Sequence, residues 1–185
     1  MSKILPVGQR FNRKTKKYED ISVIAPKFEF TFPDGFVIVR DTREQAGLFM
    51  KPPRGLMVVR EPLPLLGLDN RWGDYSIHGF EKFIMVEHKE VDDLWTSVTV
   101  NADDFKEKMI ALSRYERKWL VIHGLESEFL GYREGRKIHP NQIRQALAKI
   151  EGYIGVPIHQ SESIEASERW MIDTFIRFFQ FKRGL

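Results

Sequence analysis

Cysteine is absent from the 185 residues. That excludes disulfides, cysteine-ligated zinc and thiol chemistry, and it fits a reducing compartment. No apolar run approaches the roughly 20 residues of a membrane span. The first residues lack the apolar core of a secretory signal. The expectation is a cytoplasmic protein, nucleoid-associated in a bacterial or viral setting and nuclear in a eukaryotic one. Repeats and low-complexity tracts are also missing, and with 42% hydrophobic and 30% charged residues the chain reads as globular.

Acid is missing from one place in particular. Residues 1–17 hold Lys3, Arg10, Arg13, Lys14, Lys16 and Lys17 and no carboxylate, whereas the whole chain has 29 basic and 26 acidic residues. The remaining 23 basic and 26 acidic residues therefore leave the body at −3. The basic pI belongs to the N-terminal segment, and such a segment follows phosphates. Residues 1–26 read as an irregular, flexible basic arm ending at Ala25-Pro26, and residues 27–185 as one domain.

The body begins with strand signals. Phe28, Phe30 and Phe32 alternate with polar residues, and Phe36–Arg40 and Leu56–Arg60 are short β-rich runs. Tyr75–Ile77 and Phe83–Lys89 read as paired strands flanking His78-Gly79. The second half turns helical. Asp103 and Asp104 cap a helix with Phe105, Met109 and Leu112 on one face, and Trp119–His123 is a further strand. Asn141–Tyr153 and Ser163–Phe181 are helices, the last apolar on most sides. Strands first and strand–helix alternation afterwards predict an α/β fold, a mixed central sheet with helices on its faces.

Several charged residues stand in unexpected places. In Phe83–Lys89, alternate residues share a face, so Glu87 and Lys89 prolong the apolar row of Phe83 and Met85. A charge buried there must be paired. Asp41 ends the row of Val37 and Val39, Glu44 follows it, and Gly73-Asp74 is a turn just before a strand. Carboxylates at strand ends supply hard oxygens for Mg²⁺. A cation so held activates water and neutralises a phosphate, and a nearby lysine orients that water or stabilises the transition state. The pattern suits phosphodiester hydrolysis. Each acid also has a plainer reading: Asp41 and Glu44 as turn caps, Asp74 as a turn aspartate, Asp93 as the N-cap of a helix over 93–98.

Taken together, Val37–Glu44, Gly73–Ile77 and Val86–Leu94 resemble the nuclease domain of the XPF/Mus81 structure-specific endonucleases, the ERCC4-type domain, over residues 27–181. That family carries Asp-spacer-Glu-x-Lys on a restriction-endonuclease-like fold. Asp74 matches its Gly-Asp, Glu87 and Lys89 its Glu-Arg-Lys, Asp93 its final Asp, and Asp41 and Glu44 its first acidic pair. The resemblance implies Asp41, Glu44, Asp74, Glu87, Lys89 and Asp93 as catalytic residues. It implies Mg²⁺, with Mn²⁺ able to substitute, on Glu44, Asp74, Glu87 and Asp41. It implies cleavage of branched, flapped or nicked DNA in repair or recombination.

Two departures follow. His88 replaces the signature Arg and becomes a supporting residue behind the acids, with no guanidinium fork to offer. The tandem helix-hairpin-helix domain that usually follows is not in this sequence. DNA binding then falls to Arg43 and to Arg10, Arg13, Lys14, Lys16 and Lys17, to a partner protein, or to a second copy. A homodimer is expected, with Trp170, Phe175, Phe178 and Phe179 at the interface. The alternatives are a non-catalytic DNA-binding scaffold for another nuclease subunit and a nuclease acting on RNA.

Overall fold

The computed structural model describes residues 4–12, 17–24, 30–45, 47–68, 70–131 and 139–185. The chain divides into two units, Met1–Thr31 and Phe32–Leu185. In the first, β1 (Ile4–Asn12) and β2 (Lys17–Ile24) pair antiparallel, with a register shift between Pro6 and Gln9. The irregular arm expected over 1–26 is thus a β-hairpin for most of its length. Its basic charge masks a β-rich content of Ile4, Val7, Phe11, Tyr18, Ile21 and Val23. Arg13, Lys14 and Lys16 lie outside the described residues.

The second unit is a six-stranded mixed sheet. It comprises β3 (Val37–Arg40), β4 (Met57–Arg60), β5 (Tyr75–Ile77), β6 (Ile84–Glu90), β7 (Arg117–His123) and β8 (Ile158–Ser161), in the order β4-β3-β5-β6-β7-β8. The pairs β3/β4, β6/β7 and β7/β8 are parallel; β3/β5 and β5/β6 are antiparallel. The mixed sheet flanked by helices is the expected restriction-endonuclease-like architecture. The Phe28–Phe32 strand is not found: Phe30 to Pro33 run without strand pairing, and residues 25–29 lie outside the described residues. Phe32 instead stacks on Phe36.

One face of the sheet is covered by α1 (Val91–Thr99), α2 (Ala102–Leu112) and α4 (Pro140–Lys149). Leu94, Trp95, Phe105, Met109, Leu112 and Ile143 pack there against Val39, Met85, Leu120 and Ile122. Asp103 and Asp104 lie in the first turn of α2, and its N-cap is Asn101. Asp93 likewise lies inside α1, whose N-cap is Glu90. A short helix, α3 (Glu126–Leu130), was not anticipated. The helix expected to Tyr153 widens into a π-type turn over Ile150–Ile154, stopped by Gly155.

The other face is covered by α5 (Ile164–Arg183), whose N-cap Ser163 accepts the Ala166 N–H. Phe179 meets Phe36 and Phe80 edge-on, and Phe178 meets Phe80. Phe175, Phe178 and Phe179 are therefore buried in the chain's own core, which corrects their assignment to a dimer interface. A wide sheet face takes up more of a helix than expected. Glu165, Arg169, Asp173, Arg177 and Gln180, at three- to four-residue spacing, form an exposed stripe, and Ile164, Phe181 and Arg183 are exposed toward the helix ends. Trp170 keeps a partly exposed surface and stacks on His159.

Candidate active site

The strand ends of β3, β5 and β6 meet through backbone hydrogen bonds. Asp41 N–H donates to Asp74 O at 2.9 Å, and Asp74 N–H donates to Val86 O at 2.9 Å. These bonds bring Asp41, Asp74 and the Glu87–Lys89 segment to one edge, as the spacing along the chain requires.

Glu87 is the deepest of the acids, with 0% of its surface exposed. Its carboxylate is held between Lys89 Nζ at 2.8 Å and Lys108 Nζ at 2.5 Å. Both rows of β6 are buried at this point, so the charge anticipated on an apolar row is present and paired. Burial alone would raise the Glu87 pKa, but Lys108 and Lys89 hold it below the ordinary carboxylate range. Burial would lower that of Lys89, but Glu87 and Asp74 drive it above the usual lysine range. Lys89 is therefore a permanent cation and not a base. Lys108 is not among the residues singled out from the sequence. The signal for it was its place on the buried stripe of α2, three residues from Phe105 and four from Leu112.

Glu44 and Asp74 behave oppositely. Burial, then the charge of Glu87, raises Asp74 to about 8, although the residue keeps some exposed surface. Asp74 Oδ2 accepts the His88 N–H at 2.7 Å. Glu44 is raised to about 7 by burial, with Glu87 adding to the shift. Glu44 lies over Gly47, where a Cβ would collide with its Oε1 and crowd the Tyr75 hydroxyl. Tyr75 accepts the Leu48 N–H at 2.8 Å, and burial with Glu44 and Asp74 keeps its phenol protonated.

Asp41 takes a different part. Its carboxylate accepts the Leu63 N–H at 2.7 Å and the Arg43 N–H at 2.8 Å, and pairs with the Arg43 guanidinium at 3.2 Å. Arg43 lies over Trp72, Cζ 3.3 Å from the ring centre, with 47% of its side chain exposed. Both oxygens of Asp41 are thus committed to protein donors. Asp93 is exposed and contributes to raising Lys89. His88 is on the face away from Glu87. Its Nε2 lies 2.7 Å from His123 Nδ1, and its Nδ1 is 3.9 Å from Glu44 Oε1. Burial and His123 lower its pKa to about 3, so the imidazole is neutral.

The donor set suits a hard cation. Glu44 and Asp74 are carboxyl groups pushed up by burial and by the charge of Glu87, and a divalent cation would relieve that. Among the described residues, the group of three acidic or histidine ligands brought within 4.8 Å of one another lies elsewhere, at Glu61, His78 and Glu81. Glu44, Asp74, Glu87 and Lys89 are thus brought together electrostatically, and Asp41 stands beside them as a buried anchor. The described side chains do not include the basic residues of the hairpin.

Comparison with known proteins follows the geometry. The ERCC4 domain matches residues 34–173. Two solved structures are similar at 18% identity and TM-score 0.56: XPF from Aeropyrum pernix in complex with DNA, and XPF from Aeropyrum pernix. Each match covers 80% of this chain, and 66% and 63% of those chains respectively. The chain thus spans just under two thirds of the length of each. No curated protein matches.

Proposed function

The chain belongs to the ERCC4 domain family, and on that premise we propose that it is a Mg²⁺-dependent DNA endonuclease acting on branched, flapped or nicked DNA in repair or recombination. The observation that carries the reading is the buried Glu87 between two lysines, beside two carboxyl groups raised toward neutrality. Perturbed groups gathered at one strand edge mark a working site more often than a structural one.

Glu44, Asp74 and Glu87 would hold the cation, with Asp41 behind them. When bound, Mg²⁺ supplies an activated water and charge neutralisation at the phosphate, and Mn²⁺ has the same oxygen preference. The chain's own groups do the rest. Lys89, fixed in its protonated form, stabilises the negative charge that grows on the attacked phosphate. Glu44, raised to about 7 in the metal-free chain, would give up its proton as the cation binds. Arg43, oriented by Asp41 and by the Trp72 face, offers its remaining N–H groups to a neighbouring phosphate. Arg10, Arg13, Lys14, Lys16 and Lys17 add sequence-independent contacts that weaken with salt. Asp93 tunes Lys89, and His88 presents its backbone N–H to Asp74. A homodimer, or a partner protein carrying a further DNA-binding domain, would extend the grip on DNA. Trp170 remains the candidate contact for such a copy. Among the described residues no helix is long and apolar enough to cross a membrane, which accords with a cytoplasmic or nuclear place of work.

The test is cleavage of labelled duplex, single strand, 3′ flap, splayed arm and four-way junction, in DNA and RNA, with Mg²⁺, Mn²⁺ or EDTA. Metal-dependent cutting of structured DNA, lost in Asp74→Ala and Lys89→Ala, is the expected result. A folded chain that binds these substrates without cutting any of them establishes the scaffold reading instead. Preferential cutting of RNA replaces the substrate assignment.

A further inference from the structure

Arg40 is the last residue of β3 and lies on the α5 side of the sheet, opposite the row of Val39 and Asp41. It is 7% exposed. A buried guanidinium ordinarily finds a carboxylate or several carbonyls, because it carries five N–H donors and a charge that does not titrate away. Arg40 has neither. Among the described residues its hydrogen-bond partner is the thioether of Met50, Nη1 to Sδ at 2.9 Å, and its Nε has no partner. A thioether is a weak acceptor. Glu44 senses this cation but forms no ion pair with it, its carboxyl being lodged against Gly47 and Tyr75.

The cover over Arg40 is thin and particular. Met50 is 54% exposed, so the guanidinium lies one side chain from solvent. The turn that carries Met50 is pinned by Leu48 N–H to Tyr75 and by Phe49 N–H to Glu168 Oε1 at 2.5 Å. Phe49 is held there at φ 59°, in the left-handed region. Methionine turns freely about its side-chain bonds, so Sδ can leave Arg40 while this turn stays in place. The connection from β3 to β4 is basic on its outside: Arg43, Lys51 and Arg54 are exposed, its two acids are the buried Asp41 and the half-buried Glu44, and Arg60 at the end of β4 adds an exposed cation. Such a rim favours a polyanion over a lone carboxylate.

We propose that Arg40 is a concealed phosphate-binding residue: when a phosphodiester group reaches the β3–β4 edge, Met50 swings aside and the guanidinium takes two phosphate oxygens in its place. The exchange replaces one weak acceptor by two charge-assisted hydrogen bonds and satisfies the orphaned Nε–H. The phosphate would lie on the α5 side of the sheet, one residue along from Asp41, and so would grip a nucleotide flanking the acids. The identity of the phosphate as part of a DNA strand rests on the nuclease reading above; the anion site itself does not.

The experiment follows the Arg40 Nε–Hε signal by ¹⁵N NMR on the full chain in EDTA. It is titrated with inorganic phosphate and, separately, with a short DNA duplex. The expected result is that both ligands shift the Arg40 signal and that Arg40→Met abolishes phosphate binding there. DNA affinity should fall about tenfold in Arg40→Met, the loss of one charge-assisted contact, and Arg40→Lys should recover part of it. Arg40→Met should also unfold at a higher temperature than the parent, because it removes a poorly paired buried charge. A structural arginine would show the opposite sign. Met50→Leu, which removes the competing acceptor, should bind phosphate more tightly. An Arg40 signal unmoved by both ligands, or unchanged DNA affinity in Arg40→Met, overturns the proposal. Cleavage of DNA with an unmoved Arg40 leaves the nuclease reading intact and removes this one. A shift with phosphate in a chain that neither binds nor cuts DNA does the reverse.

Discussion

Replacing Lys108 by methionine tests the electrostatic frame of the site most directly. Lys108 approaches Glu87 at 2.5 Å while Lys89 approaches it at 2.8 Å, and Glu87 has no exposed surface. The substitution keeps the length of the side chain and its packing on α2, and removes only the charge. Breaking a buried ion pair from one side costs about 3–5 kcal/mol when the remaining ion is left bare. Here Lys89 still faces the carboxylate, so the loss should lie below that range, at about 2 kcal/mol. For a chain of this length that is a fall in Tm of roughly 4–8 °C. Urea unfolding in EDTA gives the free energy, and the same substitution in a Glu87→Gln background closes a double-mutant cycle. With the carboxylate gone, Lys108→Met should cost little, leaving a coupling of about 1–2 kcal/mol. Equal costs in the two backgrounds, or a loss below about 0.5 kcal/mol, would refute the view that Lys108 compensates Glu87.

Three further outcomes are expected. Folding raises the pKa of Glu44 from 4.5 to about 7 and that of Asp74 from 3.8 to about 8. The folded chain therefore holds protons that the unfolded chain has already released; His88, lowered from 6.5 to about 3, acts oppositely below pH 6.5, so metal-free stability should decline most clearly between about pH 6.5 and 8. Asp74→Asn should flatten that slope, and added Mg²⁺ or Mn²⁺ should stabilise most at the alkaline end; a urea midpoint that climbs with pH in that window would contradict this. Asp41→Ala strands the Leu63 N–H and frees Arg43, and should cost about 2–3 kcal/mol in urea unfolding, against about 1 for Asp41→Asn. Ser163→Ala removes the cap of α5 and should lower stability by about 1 kcal/mol, read from the same assay.

The strands were legible because each pairs a short β-rich run with a turn residue: Phe36–Arg40, Leu56–Arg60 and Tyr75–Ile77 fall within one residue of the observed elements. The acids were legible for a different reason. A charge on an apolar row, as at Glu87, is a local contradiction that only a distant partner resolves. The partner itself was less so, because Lys108 belongs to another element and its meaning depends on packing. The hairpin was missed because charge dominated the reading of its composition. Phe175, Phe178 and Phe179 were misread because a helix gives no measure of how wide the surface beneath it is. Arg40 drew no attention in the sequence, where Val39-Arg40-Asp41 reads as an ordinary strand end. Its significance lies in what surrounds it.

The Glu168 carboxylate that receives the Phe49 N–H joins residues 119 positions apart, and Phe179 closes on Phe36 across a similar span. The strand bearing the first acids is thus roofed by a helix made more than a hundred residues later. A ribosome adding about 5–20 residues per second emits β3 well before its cover exists. The apolar flank of β3 must wait, and the turn that lodges Glu44 cannot settle until α5 arrives. The turn beside the acids, on this account, takes its shape late, after the sheet is laid out. A chain stalled before Glu168 would carry the acids and Lys89 with the turn around Glu44 still loose.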